Sequence, residues 1–206
     1  MTRVKICGVT SADEAMACVD AGADSVGVNF VASSVRRVDA ETARAIVLAV
    51  GPRALVVGVV AGMSVPAMRA LREATGVGCM QLHGDEAAGD VAALLPHAYK
   101  AVRVETAADV ARARAMPSDY VLVDAKVEGA LGGTGHAFDW SLVVDLARTR
   151  KLVLAGGLTP ANVARAIEMV HPWCVDVASG VESAPGKKDP VKVRAFIEAA
   201  RERSPT

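Results

Sequence analysis

Three observations on the chain predict an α/β protein built as a closed (β/α)8 barrel, a TIM barrel occupying residues 1–206 as one domain. Short β-branched runs alternate with longer Ala-rich stretches, and the alternation occurs eight times. The strand-like runs start near Arg3, Asp24, Ala54, Gly78, Ala98, Asp119, Lys151 and Cys174, so successive starts lie 20 to 32 residues apart. That spacing fits one strand, one helix and two short loops. No detached strand or linker interrupts the series, whereas an open doubly wound sheet usually stops at about five or six strands.

Each helical start signal marks a strand-to-helix crossing. Ser11 precedes Ala12-Asp13-Glu14, Asp39 precedes Ala40-Glu41, and Ser64 precedes Val65-Pro66. Further along, Thr106 precedes Ala107-Ala108-Asp109, and Asp189 is followed by Pro190. Strand parity then assigns directions, because alternate side chains point toward the barrel axis and toward the helices. With the apolar set facing the helices, Val4 and Ile6 point outward and Lys5 and Cys7 inward. Met80 and Leu82 point outward, which sends Gln81 and His83 inward. Val121 and Val123 leave Leu122 and Asp124 inside, and Val175 and Val177 leave Asp176 inside. A barrel interior is normally filled by Val, Ile and Leu, so a thiol, two carboxylates, an ammonium and an imidazole gathered near the strand ends require a binding or catalytic account.

Composition excludes several functions. Lys plus Arg equals Asp plus Glu at 23 each, with two Trp, two Tyr and three Phe, so there is neither a basic stripe nor a stacking platform for nucleic acid. The longest apolar run, Ala54 to Met63, is about half of what a membrane-spanning helix needs. Asp13 and Glu14 stand where a signal peptide would carry its apolar region, and cytoplasmic residence is the expectation. Cys7, Cys18, Cys79 and Cys174 are scattered without a Cys-x-x-Cys pair or metal-like His spacing, which predicts reduced thiols and no metal site. Cys18, Cys79 and Cys174 read as packing residues.

The chemistry gathers at the carboxyl ends of the strands. After strand seven comes Ala155-Gly156-Gly157-Leu158, and after strand eight Ala178-Ser179-Gly180-Val181-Glu182. Glycines let backbone N–H groups approach an anion, and a short helix beginning near Gly180 would add its positive end, so Gly156, Gly157, Ser179 and Gly180 are candidate phosphate ligands. The competing reading is that these are turn glycines only. The long loop Ala125 to Ala137, with Gly132, Gly133 and Gly135, reads as a lid over a ligand or as a surface insertion. Cys7 and Asp124 close strands one and six. A thiol and a carboxyl on opposite sides of a small ligand can act as base and acid, with Lys5 and the helix after Thr10 favouring the thiolate. Free cysteine is also among the most buried residue types, so packing is the alternative for Cys7. Asp176 is a second candidate acid or a ligand-orienting group. Arg36 could clamp a ligand carboxylate or be a solvated surface arginine, and His83 could contact substrate or be a hydrogen-bonded strand-end histidine. Lys126 falls beyond the end of strand six, which disfavours a Schiff-base role.

These segments carry a resemblance. Lys5-Ile6-Cys7-Gly8, Gln81-Leu82-His83-Gly84, Val123-Asp124, Gly132-Gly133-Thr134-Gly135 with Phe138-Asp139-Trp140, Ala155-Gly156-Gly157-Leu158, and Val175 to Glu182 with Pro185-Gly186-Lys187-Lys188-Asp189 follow the order found in one family. Along essentially its whole length the chain resembles the phosphoribosylanthranilate isomerases of tryptophan biosynthesis. The resemblance implies a cofactor-free Amadori rearrangement of N-(5-phosphoribosyl)anthranilate to 1-(2-carboxyphenylamino)-1-deoxyribulose 5-phosphate. It implies Cys7 as general base, Asp124 as general acid and Arg36 as the contact to the anthranilate. The implied partner is a small phosphorylated substrate; composition argues against nucleic acid and membrane, and the chain is expected to be a monomer or homodimer. The chain departs from the family's pattern at Val31-Ala32-Ser33-Ser34-Val35, at Arg37, and at Ala178, where a serine is usual. Two rivals stay open: another phosphosugar barrel that uses Asp124 with Asp176, and a catalytically silent barrel for which Cys7 and Asp124 are dispensable.

Overall fold

The computed structural model describes residues 1–124 and 139–202. Gly132, Gly133 and Gly135 of the expected lid, and Lys126, lie outside the described residues. Eight parallel strands close on themselves: β1 (Arg3–Cys7), β2 (Ser25–Asn29), β3 (Leu55–Val60), β4 (Cys79–Leu82), β5 (Ala98–Arg103), β6 (Tyr120–Asp124), β7 (Lys151–Ala155) and β8 (Cys174–Val177). The barrel is sealed by β1 against β8, with Lys5 opposite Asp176 and Ile6 opposite Val177. Every strand begins within one residue of its predicted start.

Among the described residues the strands alternate with α1 (Ala12–Asp20), α2 (Ala40–Val50), α3 (Val65–Thr75), α4 (Ala88–Leu94), α5 (Ala107–Arg114), α6 (Val144–Thr149), α7 (Val163–Val170) and α8 (Pro190–Glu202). The predicted start signals are engaged. Ser11 accepts from the Glu14 amide, Asp39 from the Thr42 amide at 2.8 Å, and Ser64 from the Ala67 amide. Asp109 reaches back to the Thr106 amide at 2.9 Å, and Asp189 accepts from the Val191 amide at 2.9 Å. Each bond satisfies a donor that the helix itself leaves without a partner. The helix expected near Gly180 is a single 3-10 turn, Ser179–Val181, followed by a hairpin that the strand pattern did not suggest, β9 (Glu182–Ala184) with β10 (Lys187–Lys188). Its strands are too short for a period to show.

Strand parity divides the core into two shells. Val4, Ile6, Val26, Val28, Val121, Val123, Val175 and Val177 pack outward under the helices, in one large cluster that includes Cys18. Val57, Tyr99, Ala101, Leu122, Val153, Ala155 and Cys174 fill the barrel's interior, with Cys79 packed against them. All four cysteines are free thiols. One inward residue breaks the apolar rule at the centre: Lys5, with 2 % of its surface exposed, is among the largest fully buried side chains. A charge there demands partners, and they lead into the site.

Candidate active site

At the carboxyl ends of the strands a cavity of about 400 Å³ opens. Nine candidates line it together: Cys7 from β1, Arg36 from the loop after β2, His83 just past β4, Asp124 from β6, Gly156 and Gly157 after β7, and Asp176, Ser179 and Gly180 at β8. Close packing of backbone makes this convergence possible. Gly8, with φ +79°, lies where a Cβ would run into the Arg36 side chain. Gly27 on β2 leaves room where a Cβ would sit 2.7 Å from Cys7 Sγ and 3.2 Å from Lys5 Nζ. The glycine therefore makes space for the thiol and the ammonium together.

Beneath the cavity floor, Lys5 Nζ lies 3.0 Å from both Asp176 oxygens and 3.1 Å from Gln81 Oε1. Burial alone would lower the lysine's pKa, but Asp176, helped by Cys7, outweighs it and raises it well above the ordinary value. Asp176, proposed from sequence as an acid or ligand contact, thus has both oxygens in bonds to Lys5. For Cys7 the balance differs from expectation. Its burial is the dominant effect and raises the thiol's pKa; Lys5 pulls the other way and does not overcome it. The ammonium beside the thiol was legible in the sequence, but the desolvation that opposes it was not.

Asp124 and His83 face each other across the mouth, with His83 Nε2 3.7 Å from Asp124 Oδ2. His83 Nδ1 lies 2.9 Å from Gln81 Nε2. The turn that carries the imidazole is pinned from below by Lys100, which donates to the carbonyls of Leu82 at 3.0 Å, Gly84 at 2.6 Å and Ala101 at 2.9 Å. Glu86 adds a second clamp, accepting from the amides of Gly62 at 2.8 Å and Gly84 at 2.9 Å. Burial lowers the pKa of Lys100, and the facing Glu86 carboxylate offsets only part of that.

Arg36 is held by a partner that sequence reasoning did not pair with it. Its Nε and Nη2 donate to Glu182 Oε1 and Oε2, each at 2.6 Å, in the two-pronged geometry that suits guanidinium and carboxylate. Lys188 Nζ holds the same carboxylate at 2.9 Å and the Ala178 carbonyl at 3.1 Å. Burial would raise the pKa of Glu182, but the hydrogen bonds from Arg36 and Lys188 prevail and hold it below the usual carboxylate range. The fork orients the guanidinium at the cavity wall, and Glu182 takes only two of its five N–H groups. The available signal was an acid at the end of the Ser179 to Glu182 segment, but the pairing spans 146 positions.

The two glycine loops meet directly. Gly156 and Gly157 adopt φ of +92° and +64°, and Gly180 approaches so closely that a Cβ on it would overlap the Leu158 carbonyl. Gly180→Ala must push the loops apart and is expected to cost about 1–3 kcal/mol, the usual range for overpacking. Urea unfolding measures this; a midpoint equal to wild type would show that the contact yields freely.

Among the described residues no helix is long and apolar enough to cross a membrane, and no group of three or more His, Cys, Asp and Glu side chains could hold a metal ion. A closed parallel barrel whose cavity holds a thiol, carboxylates and paired glycine loops at the strand ends defines the class, a (β/α)8-barrel enzyme with its site on the carboxyl face. Residues 4–199 match the family described as N-(5'-phosphoribosyl)anthranilate (PRA) isomerase. The chain belongs to that family and is an isomerase. An N-(5'-phosphoribosyl)anthranilate isomerase of Pseudomonas aeruginosa strain LESB58 is 47% identical over 204 residues, covering 98% of this chain and 96% of the relative. The crystal structure of the Thermotoga maritima phosphoribosyl anthranilate isomerase superposes with a TM-score of 0.89 at 39% identity, covering 98% of this chain and 100% of that one. A phosphoribosyl anthranilate isomerase in complex with reduced 1-(o-carboxyphenylamino)-1-deoxyribulose 5-phosphate superposes with a TM-score of 0.87 at 36% identity, over 98% of this chain and 100% of that one.

Proposed function

We propose that the chain converts N-(5-phosphoribosyl)anthranilate to 1-(2-carboxyphenylamino)-1-deoxyribulose 5-phosphate, with Asp124 as general acid and Cys7 as general base. The observation that carries this reading is the common cavity: an acid from β6 and a thiol from β1 flank one space, with two glycine loops at its β7–β8 side. Protonated Asp124 gives its proton to the furanose ring oxygen, and the ring carbon–oxygen bond opens as the anilino nitrogen supplies electrons to form an iminium. The Cys7 thiolate then removes the C2 proton, giving an enolamine that tautomerises to the ketone. Gly156, Gly157, Ser179 and Gly180 hold the unreacting phosphate, so its binding energy keeps the sugar in register between acid and base. Arg36, braced by Glu182, meets the anthranilate carboxylate. The reading is favoured by the reduced product analogue named for one matched isomerase, which contains a phosphate and a carboxyphenyl group.

Asp176 fits a supporting role better than that of acid, since both of its oxygens meet Lys5 at 3.0 Å. The test is the decay of substrate fluorescence on addition of enzyme. Wild type is expected to turn over, and Asp124→Asn, which cannot supply the proton, to lose about 10²–10⁴-fold in kcat. Full turnover by Asp124→Asn would remove the aspartate from the mechanism and reopen the silent-barrel reading.

A further inference from the structure

Gln81 sits inward on β4 with 1 % of its surface exposed, at the meeting point of three side chains. Its Oε1 lies 3.1 Å from Lys5 Nζ and 2.9 Å from the Tyr99 hydroxyl, and its Nε2 lies 2.9 Å from His83 Nδ1. The polarity of this chain follows from donor chemistry. An ammonium has three donors and no acceptor, so the amide must turn its oxygen toward Lys5. The amide nitrogen then faces His83 with hydrogens only, and Nδ1 must present a lone pair. Neutral imidazole carries one N–H, which therefore resides on Nε2 and points toward Asp124 Oδ2 across 3.7 Å.

We propose that Gln81 is a positioning residue that fixes the His83 tautomer, so that an Nε2–H, not a lone pair, faces the acid. The inference rests on the reading of Asp124 as the proton donor. When Asp124 releases its proton, the nascent carboxylate meets a donor placed in advance, which favours that charge without reorganisation. The opposite tautomer would set a lone pair against it. The charged groups around the imidazole belong to the same scheme: Asp124 on β6, the Lys5–Asp176 pair on β1 and β8, and the Lys100–Glu86 pair that pins its turn. Gln81 touches no reacting atom in this scheme; it acts through His83.

The test reads the tautomer directly. Long-range 1H–15N correlation spectra of the whole 15N-labelled protein distinguish the ring states of its four histidines, with His83→Asn assigning the signal. Wild type at neutral pH is expected in the Nε2–H form. Gln81→Glu keeps an acceptor for Lys5 and Tyr99 but removes the donor toward His83, so the ring is expected to move to the Nδ1–H or doubly protonated form. Its kcat should fall about tenfold while KM stays within about twofold, the pattern of a lost transition-state interaction. Gln81→Met, which removes donor and acceptor alike, should give mixed tautomers and covers the case in which the glutamate variant does not fold. An Nδ1–H form in wild type, or an unchanged Nε2–H form in either variant, overturns the proposal. The spectra need no substrate, so absence of turnover in wild type would count against the isomerase reading and not against the tautomer.

Discussion

Cys7→Ser is expected to lower kcat by about 10³-fold, within the range that a positioned general base contributes. The hydroxyl fits the space that Gly27 leaves for sulfur, so the fold should survive, but an alcohol is a far weaker acid than a thiol and supplies almost no anion near neutral pH. The accompanying pH profile is the more discriminating measurement. Cys7 must be deprotonated and Asp124 protonated for turnover, so kcat/KM of wild type should be bell-shaped, with the two groups setting its two limbs. Burial raises the thiol's pKa against the pull of Lys5, so the limb that Cys7 sets should lie above the ordinary thiol value. Cys7→Ser should lose that limb. A serine variant with the wild-type profile would show that some other group removes the C2 proton. The same desolvation that keeps the thiolate scarce makes it a stronger base once formed, so burial lowers the fraction of active enzyme and raises the reactivity of that fraction.

Lys5→Met should destabilise the protein by about 3–5 kcal/mol, the cost of leaving one member of a buried ion pair without its partner. Methionine approximates the lysine's apolar stem, so the effect isolates charge from volume. Asp176, 7 % exposed, would be left with a carboxylate in the barrel's centre and no ammonium. Adding Asp176→Leu to Lys5→Met should recover most of the loss, because a buried pair replaced by apolar residues is often close to neutral. Urea unfolding of wild type, single and double variants at pH 7 closes the cycle. If Lys5→Met alone unfolds at the wild-type midpoint, the pair contributes nothing to stability. The sign of the pH dependence follows from the lysine: its folded pKa is raised, so the contribution is whole below the ordinary lysine value and is lost as pH rises through the folded one.

Much of this architecture was legible before folding, because period and parity are local. The β-branched runs located the strands to within a residue, and alternation along Arg3–Cys7 and Tyr120–Asp124 was enough to send Cys7 and Asp124 to the same end and the same side of the wall. The five helix starts could be read because each cap lies within three residues of the amide it serves. What escaped were contacts that exist only once the ring closes. Arg36 and Glu182 belong to different βα units, and neither residue's neighbours mark the other. Gln81 was correctly sent inward, yet its meaning depends on Lys5, which is 76 positions earlier. The thiol's raised pKa escaped for a different reason: proximity to an ammonium can be inferred from spacing, but the depth of burial that outweighs it is a property of the whole packed interior.

Closure of the ring also sets a schedule for synthesis. Lys5 is made well before Asp176, which balances its charge and comes 171 positions later. At roughly 5–20 residues per second of translation, the nascent chain carries that ammonium without its carboxylate for about 10–30 s. In the closed barrel β1 pairs with β2 on one flank and β8 on the other, so the second flank needs the last of the eight strands. The first strand of the ring is thus enclosed only by the eighth, and the site acquires its electrical balance as that strand docks.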